Sequence, residues 1–314
     1  MTQSIIRAAW APAGARNASS ALRQQKRSQD AMARKSRSSY ESPSGLAQTA
    51  QENLSQSSKR SHSLLDFLLP RTFVPLPLSK APSGIANFFE YYWARIRFRA
   101  VDIFSLFAIK MGSKPSYFKK ARFTLNRTSV IPTARALHRT MSEALASGDK
   151  ETLQKVCATQ LYLDLCRAID QRPRGRRYGW EVVRYTRPLR FPRIVDHKLA
   201  IFGDAASGAP GIRQAVVAIS SRQRRVEYDD ARGGAAVPGS EREMDVVEYL
   251  VINRTVDMKT YAQSDWRVWG TLNETSLPQL RDDIALMNRA QEEEKQKMRE
   301  KRKDRLAAIR RSGQ

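Results

Sequence analysis

The apolar residues of this chain change period once, which restricts the fold to one with helices followed by an antiparallel run of strands. Upstream of the change, Leu137, Met141 and Leu145 recur at helical spacing until Gly148 interrupts them. Asp149 then suits an N-cap, and Glu151 falls in the first turn, where an acid favours the helix dipole. Leu153, Val156, Cys157, Leu161, Leu165 and Ile169 keep one apolar face until Arg172-Pro173-Arg174-Gly175 ends the segment. Beyond it the period is two. The alternation predicts strands over Trp180–Tyr185, Ile194–Phe202, Ile212–Val226, Met244–Val256 and Asp265–Thr271, with Arg232–Gly239 as a long glycine-rich hairpin loop. In the second strand, Val195, His197, Leu199 and Ile201 are expected on one side. The layout is α+β: a curved antiparallel sheet with helices on its concave face.

Three segments flank that domain. Residues 64–84 hold Pro70, Pro75, Pro77 and Pro82, which exclude helix and central strand and predict an extended linker. Ile85–Met111 is apolar but interrupted by Glu90, Arg95, Arg97, Arg99 and Asp102, so it falls short of the ~18 uncharged residues of a spanning helix. Aromatics among arginines suit a helix at a bilayer interface or against RNA, and equally a core-packing helix with a charged outer stripe. Under the interfacial reading Phe88, Phe89, Tyr92 and Trp93 meet the membrane. Pro278 opens a last helix to about Ile309, polar enough to project outward, to dock on a charged surface or to fray as a solvated tail.

The N-terminus carries an address. Residues 1–60 hold ten Lys/Arg, their first acid is Asp30, and Ile5, Ile6 and Trp10 form a short apolar stripe beside Arg7. That composition fits a mitochondrial transit peptide, the alternative being a disordered basic arm. Expected boundaries are therefore residues 1–60 as presequence or basic arm, 61–110 as linker and amphipathic helix, 111–275 as the α+β domain and 276–314 as the charged helix.

Charge predicts the partner class. With 55 Lys+Arg against 31 Asp+Glu the net charge is +24. A compact protein with that excess repels itself, so a polyanionic partner, nucleic acid or anionic lipid, is expected. From Arg167 to Arg193 there are nine arginines, no lysine and only Asp170 and Glu181, with Tyr178, Trp180, Tyr185 and Phe191 interleaved. Arginine suits phosphate and stacking, and the aromatics suggest RNA rather than DNA. The expected RNA contacts are Arg172, Arg174, Arg176, Arg177, Arg187 and Arg190, with Lys301, Arg302 and Lys303 on the last helix. The competing reading is a solvated face around a turn.

Catalytic and metal motifs are missing. His62, His138 and His197 have no metal-spaced partners, and there is no phosphate-cradling loop, dinucleotide fingerprint or serine elbow. Asp196 and His197 are adjacent in a strand and so face opposite sides of the sheet, which makes His197 structural. Cys157 and Cys166, nine apart in one predicted helix, project from opposite faces and imply neither disulfide nor shared metal. No cofactor and no enzyme activity are expected.

Several segments resemble a known family. Arg190–Val195, Arg213–Gln223, Val247–Val251 and Ser264–Val268 are similar to the mitochondrial large-subunit ribosomal protein at the tunnel exit and its fungal counterpart, the inner-membrane mitoribosome receptor. Both are related to the C-terminal domain of the import motor's membrane scaffold. The resemblance covers roughly residues 110–275, a domain-sized span. It implies a cystatin- or nuclear-transport-factor-like fold and contact with ribosomal RNA and neighbouring large-subunit proteins beside the exit tunnel. It further implies a matrix location, peripheral attachment to the inner membrane and tethering of the ribosome there for co-translational insertion, with the insertase as a candidate partner. It implies no catalytic residues. Two alternatives remain: a scaffold that binds protein partners without a ribosome, and a small-ligand enzyme on the same fold.

Overall fold

The computed structural model describes residues 64–116, 118–173, 175–202 and 209–312. Its helices are α1 (Ile85–Gly112), α2 (Arg127–Ser147), α3 (Lys150–Val156), α4 (Thr159–Asp170) and α5 (Leu277–Ser312). Its strands are β1 (Arg176–Tyr185), β2 (Arg193–Ile201), β3 (Gly211–Asp229), β4 (Ala235–Ala236), β5 (Arg242–Val256) and β6 (Arg267–Leu272). The predicted presequence, residues 1–60, lies outside the described residues.

β3 organises the sheet. Its 19 residues pair with β5 along one edge, from Gly211↔Val256 to Arg225↔Arg242, and every pairing in the sheet is antiparallel. Its other edge is shared end to end, β2 taking residues 211–218 and β1 residues 221–229. β6 extends the sheet beyond β5. All of Gly211–Ser221 is buried, so both faces of β3 must be covered.

Helices cover one face. Val130, Ala134, Leu145, Leu153, Leu161 and Leu165 from α2, α3 and α4 pack on Ala215, Val217, Ile219, Leu250, Ile252 and Val268. α2 ends at Gly148 in the left-handed region, φ 81°, with Asp149 N–H donating to Ala144 O and Gly148 N–H to Leu145 O. This Schellman closure is what a glycine there permits. Asp149 caps α3 as expected, its Oδ1 accepting from Thr152 N–H at 3.0 Å.

The predicted second helix is two helices. Cys157 stands between α3 and α4 in extended backbone, bridged to Val268, and Ala158 N–H donates to Val268 O at 2.7 Å. The edge of β6 competes for those backbone groups and wins over the helical period.

The opposite face of the sheet is covered by the segment predicted as a linker. Much of it is extended, but Leu64 and Leu65 are helical and Leu78–Lys80 form a short 3-10 helix, which corrects the expected exclusion of helix, and Leu64, Leu65, Leu68, Leu69, Phe73 and Val74 are buried. Leu68 and Val74 pack with Val195, Val216, Ala218, Tyr249, Val251 and Trp269. Buried amides fasten it: Asn253 Nδ2 donates to Leu65 O and Phe67 O at 3.1 and 3.0 Å. Leu69 N–H donates to Gln214 Oε1 at 2.9 Å, and Trp269 Nε1 donates to Asp66 O.

A bulge in β2 also corrects the predicted facing. Its register shifts between Ile194 and Asp196, so Val195 packs with the cover segment, not beside His197. Asp196 and His197 do face opposite sides. Asp196 Oδ2 accepts from Phe73 N–H and lies 2.9 Å from Lys198 Nζ, whose other partners are the carbonyls of Pro70 and Arg71. Asp102 of α1 completes this buried cluster, 3.8 Å from Lys198 Nζ. The cluster ties α1, β2 and the cover together.

Two outcomes follow from these ties. Asn253→Ala leaves two buried carbonyls without donors, and equilibrium urea denaturation should show a loss of about 2–3 kcal/mol. Burial pushes the Asp102 carboxyl up to about 6 from its ordinary 3.8, against the pull of Lys198. The native state therefore holds this proton more tightly than the unfolded chain, so this group makes stability fall as pH rises from about 4 to about 6. Asp102→Asn should remove that part of the slope in a pH series of denaturation midpoints.

Candidate functional site

α1 has 28 residues and is about 42 Å long. Tyr91, Ala94, Asp102 and Leu106 are buried, which fixes its inner side. Ile85, Phe89, Trp93, Ile96, Ile103, Phe104, Phe107 and Met111 recur at three- and four-residue steps on the outer side and are exposed, Phe104 by 71% and both Phe89 and Trp93 by 67%. No charged residue falls among them on the helical wheel. Glu90 and Arg97 flank one margin and Arg99 and Lys110 the other. Of the expected interfacial residues, Phe89 and Trp93 lie on this face. Phe88 sits at its margin, and Tyr92 is half-buried, stacked on Phe88 at 4.5 Å. The expected set stopped after Trp93, although the remaining five positions were legible from the same helical spacing. Among the described residues no helix is long and apolar enough to cross a membrane.

The basic residues divide by what holds them. Arg172 is no free surface charge: its guanidinium donates to Ala146 O at 3.0 Å and to Leu145 O, capping the end of α2, and lies over the Tyr178 ring. Arg176 pairs with Glu227 at 3.0 Å and Arg177 with Asp230 at 2.5 Å. Arg187 and Arg190 are exposed in the turn before β2 beside the exposed Leu189, with no ion pair among the described residues. Arg174 lies outside the described residues. Lys301, Arg302 and Lys303 lie in the last turns of α5, where Arg302 and Lys303 are exposed. α5 is about 54 Å long and is anchored at its start, where Leu277 and Leu280 pack on Tyr91 and Ala94 and Arg281 grips Glu90 at 2.6 Å.

Sequence reasoning missed a second basic constellation, between α1 and β2. A groove there is lined by Arg95, Arg99, Asp102, Arg127 and His197, with Phe98, Leu106 and Val195. Behind it lies Arg213, only 1% exposed, whose Nε donates to His197 Nε2 at 2.9 Å. Arg213 also reaches Gln263 Oε1 and the carbonyls of Thr124 and Leu125, and lies over the rings of Phe123 and Trp266. Because arginine only donates, His197 must be neutral with its proton on Nδ1. Burial and the guanidinium of Arg213 push its pKa down to about 3. The alternation did mark His197 as structural, but not its partner. No group of three His, Cys, Asp or Glu among the described residues could hold a metal.

Fold and surface together define an α+β binding module with an uncovered aromatic helix. The chain belongs to the Tim44-like domain family, whose match spans residues 115–273, just over half of its length. That family consists of non-catalytic scaffold and binding domains associated with the mitochondrial inner membrane. α1 and the cover segment precede the match. Among solved structures, the intermembrane-space region of the chloroplast protein ARC6 is similar at 10% identity and a TM-score of 0.28, over 48% of this chain and 99% of that one. A score that low carries no argument. No curated protein matches the chain.

The expected RNA residues can be separated by stability. Arg172→Ala removes the cap from α2 and leaves carbonyls unpaired, so urea denaturation should show a loss of about 1–3 kcal/mol. Arg187→Ala should stay within about 0.5 kcal/mol of the parent.

Proposed function

We propose that this protein is a peripheral tether of the matrix side of the mitochondrial inner membrane. In this reading it lies on the bilayer through the outer face of α1 and contacts the large ribosomal subunit near the exit tunnel. The observation that carries the membrane half is the uncharged aromatic face of α1. Leaving such a stripe in water is costly, and an interfacial helix buries it at the headgroup boundary. Basic residues beside the face complement an anionic leaflet.

The ribosomal half rests on the resemblance and on charge. Among the expected contacts whose side chains are described, Arg187, Arg190, Arg302 and Lys303 are the exposed cations left for RNA phosphates once Arg172, Arg176 and Arg177 are accounted for by internal partners. Those internal partners favour a second reading, in which the same fold is a membrane scaffold for protein partners.

Salt-resolved fractionation of mitochondria separates the two. Under the first reading the protein co-sediments with the large subunit, and neutralising Arg187, Arg190, Arg302 and Lys303 with Gln flattens the log–log salt slope by about 0.7–0.9 per lost phosphate contact. A ribosome-free membrane pool at low salt would leave the scaffold reading. In either reading Trp93→Ser with Phe104→Ser should weaken binding to anionic vesicles by at least about 100-fold, because each buried ring contributes about 1.5–3 kcal/mol. Both side chains are exposed, so the variant should remain folded.

A further inference from the structure

The groove between α1 and β2 is more positive than its fold requires. Arg95 and Arg99 stand one turn apart on α1, and Arg193 opens β2 opposite them. Burial and the two neighbouring guanidiniums of Arg193 and Arg99 push Arg95 below its usual range, so the three converge. None of them, nor Arg127, has an ion pair among the described residues. Arg99 reaches only Val195 O, at a marginal 3.5 Å, and Arg193 Nε is buried without a hydrogen-bond partner. Folding has gathered like charges here without neutralising them.

The far end of the groove continues the pattern. His197 is 6% exposed and lines it, and its Nδ1, which must carry the proton, has no partner among the described residues. Arg127, Arg213 and Arg254 all press on His197 electrostatically. The acids at the groove, Asp102 and Asp196, are engaged with Lys198 at 3.8 and 2.9 Å. An unmet buried donor beside guanidiniums that outnumber the carboxylate charge left over by Lys198 calls for a ligand that only accepts and is negatively charged.

We propose that the groove lined by Arg95, Arg99, Arg127 and His197, with Arg193 beside Arg95, binds a phosphate group. Guanidiniums match phosphate oxygens in forked geometry, and a tetrahedral anion can accept from more than one of them at once. The phosphate comes from a phospholipid headgroup or from a small soluble phosphate. The first source follows from position: Ile103 both lines the groove and stands on the exposed face of α1, so the groove opens beside the proposed bilayer contact. That source rests on the membrane reading; the phosphate chemistry does not.

The test uses the full chain, with thermal unfolding read against glycerol 3-phosphate and against inorganic phosphate, ionic strength being matched with chloride. Both should raise the midpoint in proportion to the logarithm of concentration above Kd. Arg95→Gln with Arg99→Gln should abolish the shift while leaving the phosphate-free midpoint near that of the parent, since neither residue holds an ion pair. Flotation on phosphatidylcholine vesicles with and without phosphatidic acid separates the sources. A headgroup site gives a phosphatidic-acid preference that drops about tenfold or more in the double variant, as expected for a lost charge-assisted contact. A site for soluble phosphate gives the thermal shift with no such preference. Absence of any shift, or an equal shift in the double variant, overturns the proposal. If Trp93→Ser with Phe104→Ser floats as well as the parent, the membrane reading fails while the phosphate titration stands by itself.

Discussion

Burial of β3 on both faces is the constraint on which the rest of this structure depends. Eleven consecutive positions, Gly211–Ser221, are out of solvent, and the strand carries Arg213 and Gln214 in that run as well as aliphatics. A half-exposed antiparallel strand needs one cover; this one needs two. Helices α2–α4 supply the first. The second comes from upstream, where Leu64–Val74 lies across the sheet and donates or accepts through Asn253, Gln214, Trp269 and Asp196. Polar residues in the strands are there because the cover has no ladder of its own. Buried backbone groups of an extended segment outside any ladder must find partners elsewhere, and here side chains supply most of those named above, with Thr275 N–H donating to Val74 O.

The sequence displayed this organisation unevenly, for physical reasons. Strand and helix identity were legible where burial on one side leaves a period, as in β1; β3, buried on both faces over Gly211–Ser221, shows no such period there, yet it falls within a few residues of its expected place, as β2, β5 and β6 do. The cover segment was not legible, since proline content reports backbone shape and says nothing of what the apolar residues between prolines touch. Leu68, Leu69 and Val74 have no period to betray them. Cys157 was read as helical because its apolar spacing continued through it, whereas the decisive term was a backbone pairing with Val268, distant in sequence. The bulge at Val195 likewise depends on the partner strand. On α1, Arg95, Arg99 and Asp102 broke the apolar run in linear sequence, yet on the helix Arg95 and Asp102 lie away from the outer face and Arg99 only flanks it. Linear interruption masked an unbroken stripe.

Net charge overstated the surface available for a polyanion. Arg172 is spent on the carbonyls of α2, Arg213 holds two loops to the sheet without any carboxylate, Arg176, Arg222 and Arg224 pair with acids on neighbouring strands, and Arg177 pairs with Asp230 in the turn after β3. Arginine serves these internal roles because its fork satisfies several carbonyls at once and its weak hydration lowers the cost of burial. A cluster of arginines in a sequence is thus a mixture of staples and contacts, and only the partners of each guanidinium separate them. Where partners are absent, at the groove between α1 and β2 and in the turn of Arg187 and Arg190, the excess is available to an external anion.

The placement of α1 connects these surfaces. Its inner side is held by the Asp102–Lys198–Asp196 cluster at β2 and, nearer its N-terminus, by Tyr91, whose hydroxyl donates to Thr275 O at 2.7 Å and accepts from Leu76 N–H at 2.8 Å. The same end carries Glu90, gripped by Arg281 of α5. The base of the charged arm is therefore bolted to the helix that carries the aromatic face, with the cover segment between them at Phe73. A tether transmits position only if its two contacts are rigidly related, and this joint relates them through side chains packed in one cluster rather than through a linker. Under the proposed function, the depth and tilt of α1 at the bilayer set where the basic arm emerges. The ties that hold α1 to the sheet are then as much a part of the function as the face itself.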